Sequence, residues 1–277
     1  MVKILTGREE EIIRKKIEGR RLSQNESNIL SKSIRPKLKA VGEIDSAEIL
    51  RRLEYNQRGI SIEEKIKKIV LEVLKEKVSS IVLCGSAIQS NYRDYNDIDV
   101  IVSLDREMEK GKKREAVEKI EEKGREEGMK LDVQIYSERA ILFGMSRNPS
   151  LIYQLKDSKV IYGKIRKLKK IEISPLDLRM KLDWSYGVSV KSYGDDIYLA
   201  LRNALLVSLL MNGKVDNYKL KETMKNVLGD EIIDKLRSDK ADEDEKKLVL
   251  NYLELLLRNL ENKLKSEKWG KIKIENL

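Results

Sequence analysis

Histidine is absent from all 277 residues of this chain. That excludes a Ser-His-Asp triad, a Cys-His dyad and any histidine-ligated metal centre. A single cysteine, Cys84, leaves no internal disulfide to form and suits a reducing compartment. No apolar run approaches the roughly 20 residues that a membrane-spanning helix needs. The longest, from Leu199 to Met211, is interrupted by Arg202 and Asn203. The N-terminus is charged within a few residues, unlike a secretory leader, so a soluble, cytoplasmic protein with no membrane partner is expected. Chemistry must then rest on carboxylates, hydroxyls, lysines, or hard metal ions held by oxygen.

What is present is charge. Charged residues make up 38% of the chain and apolar residues 40%, which is globular rather than disordered. The net charge is +10, and the basic balance suits an anionic partner. Residues 1–62 carry 14 lysines and arginines against nine acidic residues, a net +5 and half of the whole excess. In this segment Thr6 precedes Glu9, Ser23 precedes Glu26 and Ser61 precedes Glu64, each with capping-box spacing. A helix bearing Ile12, Ile13 and Ile17 is expected to stop at Gly19, a second to bury Ile29 and Leu30, and Pro36 to open a new segment. Helix, Gly-containing turn, helix is the outline of a helix-turn-helix. Two readings stand: a module that binds RNA or DNA, and a plain helical packing unit with a solvated basic face.

Residues 63–170 alternate between helical and strand patterns. Ile66, Ile69, Val70, Val73 and Leu74 form a helical stripe, and a charged helix is expected over 111–127. Strands are expected at 80–84, 97–102, 131–136 and 159–162, which together indicate an α/β sheet. After a basic linker, residues 171–277 read as a helical bundle, with stripes through Leu199, Leu201, Leu205 and Leu209 and from Leu248 to Leu260.

The chemistry concentrates between Ile81 and Val102. A strand runs into Gly85-Ser86, a small turn whose backbone N–H groups can approach a phosphate closely. After ten intervening residues come Asp97 and Asp99. Their i, i+2 spacing on a strand sends both carboxylates to one face, where they repel unless a cation lies between them. Asp132, set between Leu131 and Val133, adds a third carboxylate on a neighbouring strand. Cys84 is expected to be a buried small residue, and Trp184 a packing residue.

This ordered set resembles the polymerase β-like nucleotidyltransferase superfamily, in particular its minimal nucleotidyltransferase branch of the kanamycin nucleotidyltransferase type. The resemblance covers about residues 63–163. It implies that Gly85 and Ser86 bind the triphosphate, that Asp97 and Asp99 ligate two magnesium ions (manganese as a substitute), and that Asp132 ligates the catalytic ion and helps deprotonate the acceptor. It also implies a following helical domain that contributes lysine and tyrosine to the nucleotide, with Lys181, Lys191, Tyr186 and Tyr193 as candidates. The implied reaction is transfer of NMP, most simply AMP from ATP, to a hydroxyl of RNA, of a protein or of a small molecule. The alternative is a nucleotide-sensing, nucleic-acid-binding regulator or antitoxin-like protein with little transferase activity. The helical ribonucleases that accompany some such proteins use histidine, so their activity is not expected here.

Overall fold

The computed structural model describes residues 5–18, 20–42, 55–166, 168, 170–266 and 272–275. Two compact units emerge, Met1–Leu53 and Glu54–Leu277.

In the first unit, α1 (Gly7–Ile17) and α2 (Gln24–Ile29) each begin with the expected capping box, at Thr6/Glu9 and Ser23/Glu26. The chain does not restart at Pro36. Instead α2 continues through a π turn (Leu30–Ile34) into α3 (Arg35–Gly42), with the Arg35 N–H reaching back to Leu30. Proline has no N–H to give and its ring crowds the preceding turn. The wider π turn just before Pro36 supplies the room. Glu9 ties the two helical stretches together, accepting from Ser33 Oγ at 2.8 Å and Lys37 Nζ at 2.8 Å. Residues 43–54, the rest of the expected helix-turn-helix region, lie outside the described residues.

The second unit opens with α4 (Gln57–Leu74), capped by Asn56, whose side chain accepts from the Gly59 N–H. The helix therefore starts one turn before the expected box at Ser61/Glu64. It leads into a four-stranded sheet of order β3-β2-β1-β4, built from β1 (Val78–Cys84), β2 (Ile98–Leu104), β3 (Leu131–Ser137) and β4 (Lys159–Gly163). β1 pairs antiparallel with both β2 and β4, while β2 and β3 run parallel. Between β1 and β2 lies the short α5 (Gly85–Gln89). The parallel pair requires a crossover, supplied by α6 (Lys110–Glu126). This helix is largely polar and buries Ala116, Ile120 and Gly124, at i, i+4, i+8.

Alternation along the central strands divides the core. Ile81, Leu83, Ile98, Val100, Val102, Val133 and Ile135 pack toward α4 and α6. Val82, Cys84 and Ile101 face the opposite layer, which comprises α7 (Glu138–Gly144), α8 (Pro149–Lys156), α9 (Pro175–Asp183), α10 (Gly194–Met211), α11 (Asn217–Leu228), α12 (Asp230–Arg237) and α13 (Glu243–Ser266). α10 buries Ile197, Leu201, Ala204 and Leu205, so its inner face is rotated from the expected stripe and Leu199 is exposed. α13 likewise buries Val249, Leu253, Leu257, Leu260 and Leu264 and leaves Leu248 outside. β5 (Lys170–Ile173) and β6 (Ile272–Glu275) form an unexpected antiparallel ladder that places Ile171 opposite Ile274. Among the described residues no helix is long and apolar enough to cross a membrane.

Candidate active site

The C-terminal end of β1, the N-terminal end of β2 and the N-terminal end of β3 lie side by side. In register, Asp99 stands opposite Cys84 on one flank and opposite Asp132 on the other. Parity puts Asp99 on the same side as Val82, Cys84 and Ile101, the side covered by the C-terminal helices. Asp97 precedes the strand by one residue and keeps that parity. Asp132, on the edge strand, is exposed, and Asp99 is half-buried.

The Gly85-Ser86 turn is bound to Asp99 by space. Gly85 has φ +75°, in the left-handed region, and a Cβ there would overlap the Asp99 carboxylate. Only glycine lets the turn and the carboxylate share this volume. Ser86 is exposed in the first turn of α5, a helix start that receives no side-chain cap. The Cys84 thiol is buried, 3.8 Å from the Asp99 carbonyl. Burial, with Asp99 and Asp132 nearby, pushes it far above the ordinary thiol range, so the expected inert packing role holds.

Electrostatics couple the carboxylates. Burial, then Asp132, then Asp97 push the Asp99 carboxyl up to about 6, while Arg202 acts to lower it. Burial, Asp97 and Glu121 raise Asp132, opposed by Lys130. Lys130 Nζ is 3.6 Å from Asp97. Carboxyl pKa values raised by burial and then by mutual repulsion mark a site that a cation would relieve. The donor set, three hard carboxylate oxygens, fits magnesium or manganese. The carboxylates are not already drawn around one point: among the described residues no three acidic or sulfur side chains are gathered closely enough to hold an ion. Asp97 is paired with Lys130 instead.

From the helical layer, Lys181 on α9 and Arg202 on α10 complete the electrostatics. Burial, then Arg202, hold the Lys181 ammonium below its ordinary range. Arg202 thus neighbours both Asp99 and Lys181 and joins the two layers. Sequence reasoning passed over Arg202; its one signal was a charge inside the apolar run 199–211. Lys191 is exposed in the segment between α9 and α10, and no electrostatic contact among the described residues ties it to this cluster. Tyr186 donates to Glu261 at 2.7 Å, and Tyr193 is exposed. Trp184 is not the packing residue expected: it is 78% exposed.

Residues 63–174 match the family model of the nucleotidyltransferase domain. This segment, less than half of the chain, is similar to nucleotidyltransferase domains. The matched segment contains Gly85, Ser86, Asp97, Asp99 and Asp132, and it ends just before α9, so the helices that carry Lys181 and Arg202 lie beyond it. No curated protein matches the chain. Among solved structures, the spectinomycin adenyltransferase AAD(9) from Enterococcus faecialis, crystallised with ATP and spectinomycin, is 19% identical. The match covers 72% of this chain and 99% of that one, at a TM-score of 0.49.

Proposed function

We propose that the nucleotidyltransferase domain transfers NMP from an NTP, most simply AMP from ATP, to a hydroxyl acceptor. The observation that carries this reading is the Gly85 turn set against Asp99, with Asp132 in register beside it. Asp97 and Asp99 would hold divalent cations, magnesium or manganese, and Asp132 would share one of them. The bound ions supply charge neutralisation on the triphosphate and acidify the attacking hydroxyl. The N–H groups at Gly85-Ser86 would receive the phosphate oxygens, with the Ser86 hydroxyl as a further donor. Asp132, the most exposed of the three, would accept the acceptor proton as the hydroxyl oxygen bonds to the α-phosphorus and the α–β phosphoanhydride bond breaks, releasing pyrophosphate. Lys181 and Arg202 would meet the triphosphate from the helical side; Lys191 lies outside that arrangement and is left out of it.

RNA is the acceptor favoured by the +5 charge of residues 1–62. The protein is incubated with labelled ATP, Mg²⁺ and either total RNA or protein lysate, alongside Asp97→Ala and Asp99→Ala. Label transfer to RNA that both variants lose is expected. Label on a protein band instead would replace the acceptor but keep the chemistry. No transfer to either, together with salt-dependent nucleic-acid binding by the intact chain, would overturn the enzyme reading in favour of a nucleotide-sensing regulator.

A further inference from the structure

The loop from Ser90 to Asn96 joins α5 to β2 and delivers Asp97 to the site. Two consecutive residues in it, Asn91 and Tyr92, have φ of +51° and +59°. Left-handed backbone crowds Cβ against the following carbonyl oxygen, a conformation that asparagine tolerates and tyrosine resists. Such a backbone persists only where its surroundings over-determine it.

Those surroundings are specific. Tyr92 is only 4% exposed, and its N–H donates to the Ala87 carbonyl at 2.7 Å. Its ring lies so close to Gly59 on α4 that a Cβ there would come within 2.7 Å of Cδ2. The Tyr92 hydroxyl donates to Glu63 Oε1 at 2.8 Å, and Lys159 Nζ on β4 donates to the same oxygen at 2.7 Å. At the N-cap of α4, Asn56 Nδ2 donates to the Asn91 carbonyl at 2.6 Å. Burial and Glu63 push the Tyr92 hydroxyl well above its ordinary range, so it remains a donor. A carboxylate 12% exposed at its side chain thus joins helix, loop and strand. The reacting groups are elsewhere.

We propose that Tyr92, Glu63 and Lys159 form a positioning device: they impose the loop backbone that sets Asp97 beside Asp99, and so set the affinity of the site for divalent cation and nucleotide. This rests on the reading of Asp97 and Asp99 as cation ligands. The alternative is that the cluster contributes packing alone.

The test uses the full chain, with calorimetric titration of ATP in the presence and absence of Mn²⁺, thermal melting, and hydrogen exchange of amides 91–97. Tyr92→Phe keeps the ring and loses the donor; Glu63→Ala loses the acceptor; Glu63→Gln keeps an acceptor. Ile66→Val, on the core face of the same helix, is the stability control. Tyr92→Phe and Glu63→Ala should weaken Mn²⁺-dependent ATP binding about fivefold and speed loop exchange, with Glu63→Gln within about twofold of wild type. Ile66→Val should lower the melting temperature with affinity unchanged. Tyr92→Phe with wild-type affinity and exchange, or losses that follow melting temperature equally in Ile66→Val, would overturn positioning. Asp99→Ala separates the two claims. If it abolishes Mn²⁺-dependent binding while Tyr92→Phe does not weaken it, only positioning fails. If Asp99→Ala binds as wild type does, or wild type shows no Mn²⁺ dependence, the cation site fails and positioning with it.

Discussion

Consider Asp99→Asn in protein stripped of divalent ions with a chelator. Burial and two neighbouring carboxylates hold the Asp99 carboxyl at about 6, against an ordinary 3.8. That gap corresponds to about 3 kcal/mol; because the carboxylate is partly open to water, about 1–2 kcal/mol is the discounted figure. The sign follows from the direction. Below pH 3.8 the carboxyl is protonated in both folded and unfolded chains, and asparagine and aspartic acid are equivalent. As pH rises from 3.8 to 6 the unfolded chain ionises first, so wild type loses stability relative to the variant. Above pH 6 the difference is constant. Asp99→Asn should therefore melt about 2–8 °C above wild type at pH 8, with the gap closing toward pH 4. Adding Mg²⁺ should reverse the order, since a ligand at 100 times its Kd adds about 2.7 kcal/mol to wild type alone. Scanning calorimetry with and without chelator across this pH range reads both effects. A variant less stable than wild type at pH 8 without metal, or a gap that ignores pH, would refute the account of Asp99 as a strained, cation-seeking carboxylate.

Three further outcomes are expected. Gly85→Ala forces a side chain into both a left-handed backbone and the Asp99 carboxylate; it should cost about 1–3 kcal/mol in denaturant melts and abolish ATP binding. Lys130→Gln removes the ammonium beside Asp97, and calorimetry should find Mn²⁺ bound about two- to threefold more tightly. Arg202→Met should raise the Asp99 carboxyl further and weaken ATP binding about tenfold, with the far-UV spectrum intact.

The strand-borne part of the site was legible because a strand has a period of two. Asp97 and Asp99 must share a face, and the apolar neighbours of Asp99 and Asp132 mark them as set within sheet rather than scattered on a surface. Local capping was legible too at Thr6 and Ser23, where cap and partner are three residues apart. It failed at Ser61, because Asn56 starts the helix a turn earlier and its side chain also holds the loop at Asn91. Long-range partners leave no periodic trace. Glu63 and Tyr92 are 29 residues apart in sequence, and the reason for each is visible only when helix and loop are in place. β5 and β6 are short, with charged residues between their isoleucines, so neither stands out alone. Arg202 read as an interruption in an apolar helix, since nothing local says that the sheet facing it carries carboxylates. Trp184 misled because bulk apolar side chains are usually inside, yet at the C-cap of α9 it continues an exposed i, i+4, i+8 stripe with Leu176 and Met180.

The β5–β6 ladder closes part of the helical layer on itself. β5 leads into α9 and β6 follows α13, so the two ends of the α9–α13 stretch run side by side at the strand spacing of about 4.8 Å. That stretch is a closed circuit, with entrance and exit at one doorway. The same closure ties the position of Lys181, soon after β5, to a strand at the far end of the sequence. Removing residues 272–275 would unpair β5, which leads directly into the helix that carries Lys181.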